Sequence, residues 1–302
     1  MRMYQVPIAE SSQTPTFRWP KPIEKLCMPV SAENHFLFQQ ECGEVTSLAR
    51  HCWIASVFSQ RSPTKSTPNE DATAVISIDE ETAVFAVADG CGGMRGGEQA
   101  SSVAIHCLAE SLNGVSRGSE SMGGEIRMAI LEGIENANRS IQNLRIGAAC
   151  TLAVAEFHRG VVRTYHVGDS VLLLMSNRGK IRYQSICHSP VGFAVEAGFL
   201  EPSQAMHHEE RHVVSNIVGD PRMRIEMGPT LEMAARDTLL LASDGLFDNL
   251  TTGEVVSGMR TGRLASKLKS LTDLALARMA EATKDLPSKP DDLSVIGIRR
   301  ST

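Results

Sequence analysis

Two apolar runs of this chain end in the same way. Val84-Phe85-Ala86-Val87-Ala88 leads into Asp89-Gly90, followed by Cys91-Gly92-Gly93, and Thr238-Leu239-Leu240-Leu241-Ala242 leads through Ser243 into Asp244-Gly245. Short apolar runs bounded by Asp-Gly predict buried strands. A stiff strand fixes a carboxylate at its end. The glycine behind it permits a sharp turn and brings backbone carbonyls close to whatever the carboxylate binds. Two such ends, with further Asp residues elsewhere, predict a site for hard divalent cations, which take oxygen ligands.

The rest of the chain is ordinary globular material. It has 302 residues, 42% hydrophobic and 22% charged, enough for one large core or two domains. A net charge of -5 disfavours nucleic acid or an anionic membrane as the main partner. No apolar run reaches the ~18 residues of a spanning helix, and Met1 to Glu10 lacks the features of a signal peptide. Cysteines at 27, 42, 52, 91, 107, 150 and 187 are odd in number and form no CxxC pair, which predicts reduced thiols in a cytoplasmic protein.

Residues 1–50, with Pro15, Pro20, Pro22 and Pro29 and little periodicity, read as an N-terminal extension, and residues 51–302 as the folded domain. Strands are expected at 53–58, 72–78, 82–88, 151–157, 161–167, 171–176 and 293–298. Helices are expected at 98–112, 125–144 and 264–282, the second carrying a stripe of Ile126, Ile130, Ile134, Ala137, Ile141 and Leu144. The stretch from His188 to Arg236, with four prolines, reads as a long functional loop with a helical piece. Hairpins of strands and pairs of helices predict an α+β layered sandwich rather than alternating βαβ units.

Glu70, Asp71, Asp89, Asp169, Asp244, Asp291 and Asp292 mostly stand at strand ends. One Asp in a turn is explained by its hydrogen bonds to nearby amides; four strand ends sharing the feature are not. Carboxylates that converge need a counter-charge. Two divalent cations ~3.5–4 Å apart supply it and lower the pKa of a bridging water enough to give hydroxide near neutral pH, which attacks a clamped phosphoryl group in line. Other chemistries fit less well. Cys91 has no Cys-x5-Arg loop after it, as a cysteine phosphatase requires, and reads as a structural thiol. His207, His208 and His212 lack partners at zinc-site spacing. The glycines from 90 to 97 do not match a dinucleotide loop.

Taken in order, Asn69-Glu70-Asp71, Val87-Ala88-Asp89-Gly90-Cys91-Gly92-Gly93, Gly147-Ala148-Ala149-Cys150-Thr151, Val167-Gly168-Asp169-Ser170, Leu241-Ala242-Ser243-Asp244-Gly245-Leu246-Phe247-Asp248 and Asp291-Asp292-Leu293-Ser294-Val295-Ile296 resemble the protein phosphatase 2C family, the metal-dependent Ser/Thr phosphatases, in their bacterial form. The resemblance spans about residues 52–299. It implies a four-layer α-β-β-α sandwich, two central antiparallel sheets flanked by helix pairs, with metals in a cleft at one end. It implies that Asp89 bridges two cations, Mn²⁺ or Mg²⁺, that the Gly90 carbonyl holds one, and that Asp244 and Asp291 ligate the other. Glu70 and Asp71 would orient metal-bound waters from behind the ligands, and Asp169 would help hold a third, weaker cation. The segment from Ser189 to Pro229 would contain the flap that shapes substrate access. The implied partners are phosphorylated proteins and a cognate Ser/Thr kinase, the enzyme acting as a monomer.

Three positions depart from the family pattern, one of them Val171, where many relatives have Arg and to which no mechanistic role is attached. Asp292 stands where Asn is usual. Ser66 stands where an Arg grips the substrate phosphate, a role its planar fork suits. Lys65, Arg61 and Arg95 are the candidates to replace it, none in register. The departure implies weaker phosphate binding with the metal chemistry preserved. It also supports an alternative, a catalytically weak relative that binds phosphoproteins or regulates a partner. A two-metal phosphodiesterase or nuclease shares the chemistry but not the basic, aromatic-rich surface that nucleic acid needs.

Overall fold

The computed structural model describes residues 34–38, 42–91, 96–116, 122–281 and 286–301. Thirteen strands among them form two antiparallel sheets. The first contains β1 (His35–Phe38), β4 (Asp71–Ser77), β5 (Thr82–Gly90), β6 (Cys150–His158), β7 (Val161–Val167) and β10 (Glu226–Met227) in that order, with β11 (Leu231–Glu232) also paired to β7. The second runs β2 (Cys42–Ala49), β3 (Trp53–Gln60), β13 (Leu293–Arg300), β12 (Thr238–Ala242), β8 (Val171–Met175), β9 (Ile181–Gln184).

Seven helices complete the described residues. Helix α1 (Gly97–Leu112) lies on β4, β5 and β6, and α2 (Met122–Leu144) packs on α1. Short α3 (Pro190–Glu196) and α4 (Pro202–Ala205) occupy the long loop, and α5 (Asp244–Phe247) follows β12 directly. Helices α6 (Thr252–Met259) and α7 (Leu264–Ala280) cover the outer face of the second sheet. The result is the four-layer α-β-β-α sandwich. No helix among the described residues is long and apolar enough to cross a membrane.

Each layer follows from side-chain periodicity. Trp53, Ala55 and Val57 of β3, Phe85 and Val87 of β5, and Leu239 and Leu241 of β12 alternate into one core between the sheets. On the second sheet the intervening residues Leu240 and Ala242 face the other way and meet Leu264, Leu268, Leu271, Ala275 and Met279 of α7, the spacing of one helix face. The stripe expected on α2 is buried from Ile126 to Ile141. On α1 the buried face runs through Ala100, Ala104, Ile105 and Leu108.

The sheets take in residues that the sequence reading assigned to the extension. β1 pairs with β4 and β2 with β3, and the compact unit begins at Asn34 rather than residue 51. Both are edge strands, and β2 is largely exposed, so neither carries the apolar alternation that marks a buried strand. The expected helix at 264–282 ends at Ala280.

Trp53 and Phe85, one from each sheet, meet edge to face with ring centroids 5.3 Å apart, and neither is exposed. Phe85→Ala is expected to lower unfolding free energy by about 3–5 kcal/mol, read from the urea midpoint at unchanged m-value. A loss below about 1 kcal/mol would mean that the sheets collapse onto one another without this pair.

Candidate metal centre

Asp71 and Asp89 are direct cross-strand partners at the same end of β4 and β5, and Asp89 also faces Thr151 at the start of β6. The β7–β8 turn places Asp169 at this end, β12 delivers Asp244, and Asp291-Asp292 immediately precede β13. The site is thus built on strand ends from both sheets, the most rigid parts of the fold.

Buried hydrogen bonds lock the sheets together here. Ser243 Oγ donates to Asp71 Oδ2 at 2.9 Å and accepts from the Ser294 amide at 3.0 Å. Asn69 donates to Ser59 Oγ at 2.9 Å and accepts from the Asp71 amide at 3.0 Å, while Ser59 and Ser294 share a 2.8 Å hydroxyl bond. Asp71 Oδ1, although buried, has no partner.

Gly90 and Gly245 are not turn residues. Neither has a left-handed backbone. They are required by close approach: a Cβ on Gly90 would lie 2.5 Å from the Gly97 carbonyl, and one on Gly245 would lie 2.1 Å from the Asp292 oxygen. The Asp-Gly pairs therefore press the carboxylate-bearing segments against Glu70, α1 and Asp292.

The carboxyls crowd one another. Burial, then Asp71, Asp244, Asp291 and Asp169, push the Asp89 carboxyl well above the usual range. Burial and then Asp292 raise Asp71 against hydrogen bonds from Ser294 and Ser243. Burial and Asp244 raise Asp291. Burial, Asp244 and Asp248 raise Asp169 to about 7, and burial and Asp244 raise Asp248 to about 6.

Asp248 was not among the residues expected from sequence. One helical turn places it beside Asp244, its amide donating to the Asp244 carbonyl at 2.8 Å, a spacing visible in Ser-Asp-Gly-Leu-Phe-Asp. Lys289 was also missed. Its Nζ lies 2.7 Å from Asp244, 2.6 Å from Asp248 and 3.2 Å from Asp291.

A second lysine serves the other side. Lys65 binds Glu70 and, at 2.8 Å, Asp292. Asp292 also accepts the Ser62 and Glu70 amides at 2.8 and 2.7 Å. Both Asp292 oxygens therefore only accept, which an Asn could not reproduce. Ser66 is exposed, and Arg61 makes a long 3.4 Å contact to the Thr67 carbonyl. Arg95 lies outside the described residues.

These residues fit divalent cations by donor chemistry. All are oxygens, an acceptor of Asp71 is orphaned, and the carboxyls cannot all ionise without added positive charge. They do not form a closed cage. Among the described residues the trio with ligand atoms all within 4.8 Å of one another is His166, His188 and Glu226. In it His188 and Glu226 are braced by hydrogen bonds, while His166, whose Nε2 pairs with the Ile186 carbonyl at 3.0 Å, stacks on His188 with ring centroids 4.4 Å apart and leaves its buried Nδ1 without a partner. The Gly168 amide and Asn216 donate to His188 Nδ1 at 3.1 and 2.9 Å, leaving Nε2–H to donate to Glu226 at 3.0 Å. His207, His208 and His212 are exposed, and burial, then Asp169 and Asp244, push the Cys91 thiol up to about 12, so neither group supplies a metal ligand set or a thiolate.

From Asp169, Asp244 and Asp248 a cavity of about 690 Å³ extends between the long loop and α6, lined mainly by apolar groups such as Val191, Met206, Phe247 and Leu250.

The raised carboxyls carry a pH signature. Asp169 and Asp248 bind protons more tightly folded than unfolded. Their contribution favours folding below the ordinary 3.8 and is lost as pH rises through about 6 and 7. Partly buried His35 and His106 and fully buried His166, lowered by desolvation, act in the opposite sense, so the informative quantity is a difference. In EDTA, Asp169→Asn is expected to gain in Tm relative to wild type between about pH 5 and 8. A constant difference across that range would refute the assignment.

The protein phosphatase 2C family model matches residues 61–282. The chain is 26% identical over 207 residues to the serine/threonine phosphatase stp of Listeria welshimeri, covering 66% of this chain and 80% of that one. Its fold resembles the crystal structure of the serine/threonine phosphatase Stp1 from Staphylococcus aureus, with a TM-score of 0.71 at 21% identity over 87% of this chain and 99% of that one. It also resembles the catalytic domain of the serine/threonine protein phosphatase PstP in complex with two manganese ions, with a TM-score of 0.66 at 22% identity over 83% of this chain and 99% of that one.

Proposed function

Because the chain belongs to the protein phosphatase 2C family, we propose that it hydrolyses phosphoserine and phosphothreonine in proteins with the help of two divalent cations, Mn²⁺ or Mg²⁺. The observation that carries this is the crowding of Asp71, Asp169, Asp244 and Asp291 around Asp89 at one end of two stiff sheets. Asp89 and the Gly90 carbonyl, with Asp244 and Asp291, would hold the pair, and Asp169 would serve a third, weaker cation. Bound there, such ions supply Lewis-acid activation of water and neutralise phosphoryl charge.

The protein's own groups then have distinct tasks. Asp71, fixed through Oδ2 by Ser243, offers its free Oδ1 as a hydrogen-bond acceptor beside Asp89. Glu70 is oriented by Lys65 and by the hydrogen bond that its backbone amide donates to Asp292 Oδ2 at 2.7 Å. The apolar cavity beside Asp169 and Asp244 gives the flanking segment of a protein substrate a dry surface. Activity in the cytoplasm as a monomer, on the substrates of a cognate Ser/Thr kinase, completes the reading.

Hydrolysis of p-nitrophenyl phosphate and a phosphothreonine peptide is expected with Mn²⁺ or Mg²⁺. EDTA should abolish it, and Asp89→Asn or Asp244→Asn should lower it by about 10²-fold or more. Wild-type protein that binds Mn²⁺ and phosphopeptide without turnover would establish the alternative, a phosphoprotein-binding relative.

Phosphate binding should be the weak step. Lys65 is engaged by two carboxylates and Ser66 carries no charge. Ser66→Arg is expected to lower KM for the phosphopeptide several-fold, about 1 kcal/mol of added charge-assisted binding. An unchanged KM would show that another residue already grips the phosphate.

A further inference from the structure

Lys289 stands where Asp244, Asp248 and Asp291 converge, and its placement is built from several directions. Fully buried Asn249 clasps its backbone: the Lys289 amide donates to Asn249 Oδ1 at 2.8 Å, and Asn249 Nδ2 donates back to the Lys289 carbonyl at 2.8 Å. The same Nδ2 holds the Gly245 carbonyl at 2.8 Å, and Arg278 holds the Asn249 carbonyl at 2.7 Å. The lysine backbone is therefore tied to the helical turn that carries Asp244 and Asp248. Only its flexible stem separates this anchor from the carboxylates.

The ammonium also sits in a specific place. Asp244 Oδ2 and Asp291 Oδ2 are both contacted by Nζ, at 2.7 and 3.2 Å. These two side chains would ligate one ion in the proposed site. A compact point charge on three carboxylates offsets part of their repulsion, as a bound cation does.

We propose that Lys289 is a built-in cation that holds the metal-free cluster together and must withdraw for an ion to bind at Asp244 and Asp291. Metal binding is then an exchange, one ammonium out and one divalent cation in. This inference rests on the metal-dependent reading of the same site. Its consequence is a deliberately modest affinity: the ion must first displace ion pairs that Asn249 has pre-positioned. The exchange also keeps the cluster from springing apart when metal is scarce.

The test compares wild type with Lys289→Met and Lys289→Arg, with Lys289→Gln as a second neutral variant in case methionine perturbs folding. Folding is checked by circular dichroism. Mn²⁺ affinity is read by calorimetry and by loss of the free-ion electron paramagnetic resonance signal. The neutral variants should bind Mn²⁺ roughly tenfold more tightly, the scale of losing one partly buried competing ion pair, and Lys289→Arg should stay near wild type. In EDTA the neutral variants should melt lower than wild type, and Mn²⁺ should raise their Tm by more. Equal or weaker Mn²⁺ binding by both neutral variants overturns the exchange. So does a raised phosphopeptide KM at unchanged Mn²⁺ affinity, which would make Lys289 a phosphate ligand instead. If no protein binds Mn²⁺, the metal-dependent reading falls and the exchange with it. If Mn²⁺ binds without turnover, only the catalytic reading falls, and the affinities still decide the exchange.

Discussion

The structure depends on holding mutually repelling carboxylates together at the ends of two sheets. Asp71 and Asp89 are paired in register, so the ladder that stabilises β4 and β5 also forces the buried Asp71 carboxyl against that of Asp89. Raising their carboxyls costs stability at neutral pH. The inter-sheet core and the serine network offset this cost, because separating the acids would mean breaking strands that bury Phe85, Leu239 and Leu241. Rigidity and destabilisation are two aspects of one arrangement, common where a site is preorganised for a charge to be supplied from outside.

The two lysines divide the cluster. Lys65 serves Glu70 and Asp292; Lys289 serves Asp244, Asp248 and Asp291. This makes sense of the departures at Ser66 and Asp292 together. Asp292 adds a negative charge where Asn is usual, and Lys65 cancels it at 2.8 Å. The same contact takes Lys65 out of contention as a free replacement for the arginine that Ser66 lacks. The two departures are therefore linked through one ion pair.

Much of this was legible in the sequence. The Asp-Gly endings marked β5 and β12, and period-3.6 stripes marked α2 and α7, because buried faces impose a strict pattern on their residues. Edge strands β1 and β2 were missed because half of their surroundings is solvent. The reason for Gly90 and Gly245 was misread as turning rather than close packing, a distinction that depends on Gly97 and Asp292, remote in the chain. Lys289 was invisible for a similar reason: nothing in Ser-Lys-Pro-Asp-Asp shows that Asn249 will clasp its backbone. The carboxylates advertise themselves at strand ends, whereas the cations that balance them come from loops, where sequence pattern is weakest.

The long loop is tied at its base to the charge cluster. Its base is fixed by His188, whose ring accepts the Gly168 amide while its own amide donates to the Gly168 carbonyl at 3.0 Å. Gly168, with a φ of 107°, lies against Thr151 and sets the direction of the next residue, Asp169. From there the chain enters α3 with Ser189 capping the Gly192 amide at 2.8 Å, and the cavity opens between this segment and α6. A displacement of the loop base would therefore move Asp169 directly, without crossing the core. The residues that line the cavity and the Asp169 carboxyl beside Asp244 are joined by one short, hydrogen-bonded stretch of backbone.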